Sequence, residues 1–272
     1  MKRAGFPVPS WVRVLRAGAL ALAASGCATA NDPGTIERKV MGSGTPVVVF
    51  QSGLGDGQGV WSAVQGRLPK ELTSFAFSRP GYGGSKPRDG DHSRCAAATE
   101  LRAELRRAGL GPPYVLVGHS LGGLYQYAYA KLHPGEVAGI VLVEPTHPQH
   151  WPRMQRDAPA MAAVVRTARL LAFSPTMRRE FDDQLRCHES LEALPPPQVP
   201  TRVLVRGQFL PPEIGAFEQM SRESWRDWSS LLLAKGVEPV EGAGHYIQRD
   251  RPAAVAEAIL AVARGRRLQP ED

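Results

Sequence analysis

The 272-residue chain holds only three cysteines, Cys27, Cys95 and Cys187, and none stands in a C-x-x-C or similar ligand spacing. No metal site is therefore expected. Acidic residues are missing before Asp32, where Lys2, Arg3, Arg13 and Arg16 supply all the charge. Long apolar runs are missing as well. The leader's candidate, AGALALAAS, is far shorter than the roughly 20 residues a membrane-spanning helix needs. Aromatics make up 7 % and no Lys/Arg run is interleaved with them, which argues against a nucleic-acid partner. The glycines of GLGDGQG are not followed by G-K-[ST], so they form no phosphate loop. Internal repeats and low-complexity tracts are absent, and no nucleotide, flavin or other cofactor is expected.

What is present begins with the leader. A basic opening, a short apolar stretch and the small residues of GCATA have the order of an export signal, expected over residues 1–26. ASGC resembles the lipobox of bacterial lipoproteins, which implies acylation of Cys27 and a chain held at the cell envelope or periplasmic face of a membrane. ATA before Asn31 resembles an ordinary signal-peptidase site, the alternative that implies a secreted protein. The formal charge of +7 loses four charges with this leader and falls to +3, too little to argue for a polyanionic partner. In an oxidising compartment Cys95 and Cys187 either form one bridge or remain separate thiols.

With 43 % hydrophobic residues, the chain is long enough for one sizeable core. TIERKV, PVVVFQ, TSFAFS, YVLVG, GIVLVE, TRVLVRG and VEPVE read as strands, several continuously apolar, as parallel strands covered on both faces are. A helical stretch is expected around Trp61 to Leu68. RCAAATELRAELRRAG and LGGLYQYAYAKLHPG read as helices, each closed by a glycine. The alternation implies an α/β fold with a mostly parallel, doubly wound sheet. Residues 146–199 contain no convincing strand and are too long for a loop. They are expected to form a small helical cap inserted between late strands, with the core in residues 35–145 and 200–265.

Within YVLVGHSLGGLYQYAYA, Gly118, Ser120 and Gly122 form G-x-S-x-G where a strand meets a helix. Such a turn lifts a serine hydroxyl clear of the backbone and sets it at a helix N-terminus that favours developing negative charge. From about Val47 to Ala263 the chain resembles the serine hydrolases of the α/β-hydrolase family. SRPGYGGS resembles that family's turn before the elbow helix, QSGLGDG lies where its oxyanion loop is kept, with Ser52-Gly53 in place of His-Gly, and GAGHYIQRDRP resembles its histidine loop. The resemblance implies Ser120 as nucleophile, His245 as base, and oxyanion donors at the N–H groups of Leu54 and Leu121. His119 is expected to point away from the serine hydroxyl.

The acid is displaced. Leu210 stands where most relatives keep an aspartate after TRVLVRG, so Glu144 at the end of IVLVE is the expected acid, as in relatives that place it after the preceding strand. Glu213 is the alternative and Asp227 a distant third. The function implied is an exported hydrolase of carboxylic esters, acting on small-molecule or lipid esters through an acyl-enzyme, with hydrolysis of amides, thioesters or carbon–carbon bonds open to the same residues. Trp151, Met154, Met161, Leu170, Leu171 and Phe173 offer an apolar acyl pocket or, equally, the cap's own core. The contrasting reading is a binding lipoprotein that keeps the fold without turnover.

Overall fold

The computed structural model describes residues 36–232 and 234–265; Cys27 and the leader lie outside them. Seven strands form one sheet in the order β1-β3-β2-β4-β5-β6-β7, with β1 (Arg38–Met41), β2 (Val47–Gln51), β3 (Ser74–Phe77), β4 (Tyr114–His119), β5 (Val137–Val143), β6 (Thr201–Arg206) and β7 (Val237–Val240). Only β1 pairs antiparallel, along β3; the other pairings are parallel. Every residue of β2, β3, β4 and β5 is buried, the physical counterpart of their unbroken apolar runs. This is an alpha/beta hydrolase fold.

Helices cover both faces. A short α1 (Ser62–Gln65) follows a 3-10 turn at Gln58–Trp61, so the helix expected to Leu68 ends early, at Gly66. One core cluster joins α2 (Arg94–Arg107) and α3 (Leu121–Leu132) to Val47, Val49, Leu116, Ile140 and Val203. The other joins Val48, Phe50, Val115, Val141 and Leu204 to Trp61, Ile247 and Ile259 of the opposite layer. Each such side chain, fully buried, contributes about 1.5–3 kcal/mol. Ser93 Oγ accepts from Ala96 N–H to cap α2, and Gly109, at φ +69°, ends it as expected. The helix α3 ends differently: Pro134, which has no N–H to continue the ladder, opens a 3-10 turn at Pro134–Glu136. Gly135 lies inside that turn and is not the cap.

Between β5 and β6 the chain forms four helices and no strand: α4 (His150–Asp157), α5 (Pro159–Leu171), α6 (Pro175–Asp183) and α7 (His188–Glu192). Pro159 and Pro175 open their helices, where a missing N–H costs nothing. Cys95 on α2 is disulfide-bonded to Cys187, the residue before α7, so the bridge ties this insert to the core. After β6 come α8 (Ala216–Leu231), α9 (Ile247–Asp250) and α10 (Pro252–Gly265). Among the described residues no helix is long and apolar enough to cross a membrane, and no cluster of His, Cys, Asp or Glu could hold a metal ion.

Candidate active site

Ser120 sits between β4 and α3 with φ +51° and ψ −123°, a conformation that costs a non-glycine residue of order 1–3 kcal/mol and persists only where its surroundings impose it. The surroundings are backbone. A Cβ on Gly118 would lie 2.5 Å from the Gly122 carbonyl oxygen, and one on Gly122 would lie 2.3 Å from that of Gln51. The G-x-S-x-G spacing is thus required on one side by the first turn of α3 pressing on Gly118 and on the other by the end of β2 pressing on Gly122.

The parallel register sets Gly118 beside Leu142 and His119 beside Val143. Glu144 therefore leaves β5 next to the elbow, itself at φ +47°. Ser120 O accepts from Thr146 N–H at 3.0 Å, and the two hydroxyl oxygens, Ser120 Oγ and Thr146 Oγ1, are 3.5 Å apart. Ser120, Leu121, Leu54 and His245 all line one cavity of about 250 Å³ under the insert, together with Trp151, Met154, Val165, Phe173 and Phe181. Of the residues expected for an acyl pocket, Trp151, Met154 and Phe173 line this cavity. Met161 packs instead between the insert and α8, against a cluster of Met154, Ala158 and Ala162 with Met220 of α8. Leu170 and Leu171 face solvent instead, 65 % and 82 % exposed, because the inner face of α5 is taken by Ala162 and Val165.

The loop after β2 is held from behind. Trp61 Nε1 donates to Ser52 Oγ, which donates to the Gly57 carbonyl. Ser52 thereby braces the loop where relatives keep a histidine. The N–H groups of Leu54 and Leu121 donate to no acceptor among the described residues, which leaves both available to a developing oxyanion.

His245 follows β7 and lies against His119, ring centroids 4.8 Å apart. His119 Nε2 donates to the His245 carbonyl at 2.9 Å, so the imidazole of His119 is spent on holding the histidine loop. Burial keeps His119 neutral down to about pH 4. Burial, with His119, Arg206 and His150 adding to it, also holds His245 well below its ordinary range.

The acid side departs from expectation. Arg206, the last residue of β6, donates from its backbone N–H to Glu144 Oε2 and from Nε to Glu144 Oε1, each at 2.7 Å. Its Nη1 reaches Glu213 Oε1 at 2.9 Å, and its Nη2 donates to His245 Nδ1 at 2.8 Å. Neither Glu144 nor Glu213 touches His245; each meets the arginine between. Burial raises the Glu144 carboxyl and the Arg206 charge opposes that rise. Because guanidinium only donates, Nδ1 is here an acceptor and the ring proton resides on Nε2. Asp227 is elsewhere, 3.5 Å from His147 and paired with Arg153. Arg206 went unnoticed in the sequence, although a cation ending an apolar strand at the sheet's carboxyl edge, with two glutamates nearby, was a usable signal. Asp56 was also missed: it lines the cavity, bonds Arg249 at 3.2 Å, and is raised by burial against the pull of that arginine.

A model of the alpha/beta hydrolase family matches residues 47–258. A Klebsiella pneumoniae (strain 342) protein named, provisionally, as the carbamate hydrolase RutD is 37 % identical over 101 residues, 37 % of this chain and 38 % of its own. The human 1-acylglycerol-3-phosphate O-acyltransferase ABHD5 is 36 % identical over 104 residues, 37 % of this chain and 30 % of its own. The chain thus spans well under half the length of the curated relatives it matches. Among solved structures, a thermophilic esterase from Thermogutta terrifontis superposes with a TM-score of 0.61 at 21 % identity, covering 85 % of this chain and 93 % of that one.

Proposed function

The chain belongs to the alpha/beta hydrolase family, and on that footing we propose that it hydrolyses carboxylic esters with Ser120 as nucleophile and His245 as base. The observation that carries this reading is the strained Ser120, lifted at φ +51° into a cavity it shares with His245 and two free oxyanion donors. Ser120 Oγ attacks the acyl carbon while its proton passes to His245 Nε2. The N–H groups of Leu54 and Leu121 hold the oxygen that gains charge, worth about 3 kcal/mol for each donor. The protonated imidazole then gives its proton to the leaving alkoxide, and water repeats the sequence to free the acid. The apolar lining from Trp151, Met154, Val165, Phe173 and Phe181 favours an acyl or alkyl group of moderate size.

A base needs its lone pair on Nε2 and its proton on Nδ1, so as substrate binds Arg206 must leave Nδ1 and the ring proton must shift from Nε2 to Nδ1, where Glu144 is the acid we assign to accept a hydrogen bond from Nδ1–H without taking the proton. Glu213 keeps the displaced guanidinium paired. The resting contact to Arg206 favours a second reading, a binding protein that holds its ligand without turnover, since it leaves a donor and not an acceptor on His245 Nε2. A lipid anchor on Cys27 belongs to either reading as a proposal.

Fluorophosphonate labelling and hydrolysis of p-nitrophenyl esters from acetate to octanoate decide between them. Labelling and turnover that vanish in Ser120→Ala establish the hydrolase. A folded wild-type chain that neither labels nor turns over any ester leaves the binding protein.

A further inference from the structure

We propose that Glu180 on α6 of the insert acts through Arg79 as a positioning residue for the oxyanion donor at Leu54, so that the insert sets the geometry of the reaction as well as the shape of the pocket. This rests on the Ser120 hydrolase reading above.

Arg79, the arginine of SRPGYGGS, is 3 % exposed. Its Nη1 donates to the Ser52 carbonyl at 2.5 Å and its Nη2 to the Gly53 carbonyl at 3.0 Å. Nε and Nη2 also grip Glu180 Oε1 and Oε2 at 2.7 and 2.9 Å. Two consecutive carbonyls of the loop after β2 are therefore turned toward one buried cation. In a trans peptide the C=O and the following N–H point in opposite directions. Turning the Gly53 carbonyl to Arg79 thus turns the Leu54 N–H away from it, toward the side on which Leu54 and Ser120 share the cavity.

The guanidinium is held in its own plane. Tyr82 and Tyr125 rings lie 5.0 and 5.1 Å from its Cζ, and Tyr82 donates its hydroxyl to Glu180 Oε2 at 2.7 Å. Burial pulls against the charge on Arg79, and the Glu180 charge and hydrogen bonds together, with smaller contributions from Tyr82 and Tyr125, more than offset it. Without Glu180 the cation would be buried against two carbonyls and two tyrosine rings, with no carboxylate bonded to it.

Helix α6 is seated to serve this purpose. A Cβ on Gly81 would meet Thr176 Oγ1 at 2.2 Å, and one on Gly55, inside the oxyanion loop, would meet Met177 Cε at 3.3 Å. Asp183 Oδ2 accepts from the His92 N–H at 3.0 Å. One helix of the insert touches the oxyanion loop, the SRPGYGGS turn and the approach to α2, and its only fully buried carboxylate is spent on the arginine that orients the loop.

The test uses the intact chain and the variants Glu180→Gln and Tyr82→Phe. Glu180→Gln keeps the shape and removes the charge; the expected result is a fall in kcat of about 10- to 100-fold, within the range for a weakened oxyanion donor, with KM changed less than about threefold. Affinity for an alkylboronic acid, whose adduct with Ser120 carries the tetrahedral charge, falls in parallel. Tyr82→Phe, which loses one hydrogen bond and no charge, falls roughly two- to fivefold in kcat. A KM increase at unchanged kcat, or a lower unfolding midpoint with kcat intact in folded variants, overturns the proposal and leaves the insert a wall of the pocket. If the wild type neither labels nor turns over, the serine reading fails on its own, and the amide resonance of Leu54 still decides here: it shifts in Glu180→Gln if the relay exists, and an unmoved resonance sinks it.

Discussion

Ser120 has two flanks, and each is organised by one buried arginine. On the oxyanion flank Arg79 is 3 % exposed and divides its donors between two loop carbonyls and Glu180. On the acid flank Arg206 is 5 % exposed and divides its donors between Glu144, Glu213 and the ring of His245. The same device, a guanidinium neutralised by glutamate, has opposite chemical effects. Arg79 spends itself on loop carbonyls and leaves the Leu54 N–H, the proposed oxyanion donor, free. Arg206 spends its last donor on His245, the proposed base. Where a buried cation places its final hydrogen bond decides whether it serves as scaffold or competitor.

Removing Arg206 breaks that comparison most severely. Arg206→Met leaves Glu144, 7 % exposed, without a counter-charge, and the expected loss in urea unfolding is about 3–5 kcal/mol. Adding Glu144→Gln should recover most of it, because the double variant buries no charge. A single-variant loss below about 1 kcal/mol would show that Arg206 is not an integral part of this flank. In the same variant the acid limb of kcat/KM moves to higher pH, since one of the cations holding His245 below its usual range is gone.

The oxyanion flank is probed by Gly122→Ala. Its Cβ would enter the space of the Gln51 and Ser52 carbonyl oxygens, at 2.3 and 2.5 Å, so the loop must shift. The expected cost is about 3 kcal/mol of stability together with loss of fluorophosphonate labelling. A stable variant that labels normally would mean the elbow and the loop are less tightly locked than Arg79 implies.

The two flanks were unequally legible in the sequence, for a physical reason. Runs such as VVVF and IVLV announce strands covered on both faces, and G-x-S-x-G announces an elbow because only glycine survives the close approach of the first turn of α3 at Gly118 and of the end of β2 at Gly122. Those signals are local. Arg79 stood inside a motif already noticed, but its partner Glu180 lies 101 residues away. Arg206 looked like an ordinary charge ending a strand, and its meaning depends on Glu144, 62 residues earlier, brought alongside by the β5–β6 register. The missing aspartate at Leu210 was visible. That an arginine would stand between the candidate acids and the base was not, because no spacing encodes which donor of a guanidinium meets which acceptor. The ends of α3 and α1 show the smaller failing, in which proline and packing override a helical pattern.

Acid stability sharpens the contrast by a smaller amount. His147, beside the acid flank, is held at about 3, first by burial and then by Arg153, and His119, between the flanks, is held at about 4 by burial. The unfolded chain protonates both near 6.5, so below that pH it binds protons the native state refuses. Stability therefore falls as pH drops from 6.5 toward about 4, by about 1.4 kcal/mol per pH unit for each histidine. His150 is likewise held at about 4 by burial and His245 well below its ordinary range, so His147→Gln should remove roughly a quarter of the combined histidine slope in urea midpoints measured from pH 7 to 4. An unchanged slope would assign the sensitivity to other groups.

The smallest effect distinguishes the two glutamates of the acid flank. Glu213 Oε1 accepts from Arg206 Nη1 and its Oε2 from the Leu210 N–H, which closes the 3-10 turn at Pro211–Glu213. With an 18 % exposed side chain, it can be replaced by water, so Glu213→Gln should cost only about 1 kcal/mol. Its effect on kcat should stay under about threefold at saturating ester, because a glutamine oxygen still accepts from the same arginine and Glu144 still neutralises it. Glu144→Gln, in contrast, removes the carboxylate proposed to accept the hydrogen bond of Nδ1–H and should lower kcat by a hundredfold or more, on the order seen when a triad acid is lost. Reversal of that order would move the acid to the loop after β6. Equal, small effects would mean that no carboxylate reaches Nδ1 during turnover and that Arg206 never leaves it.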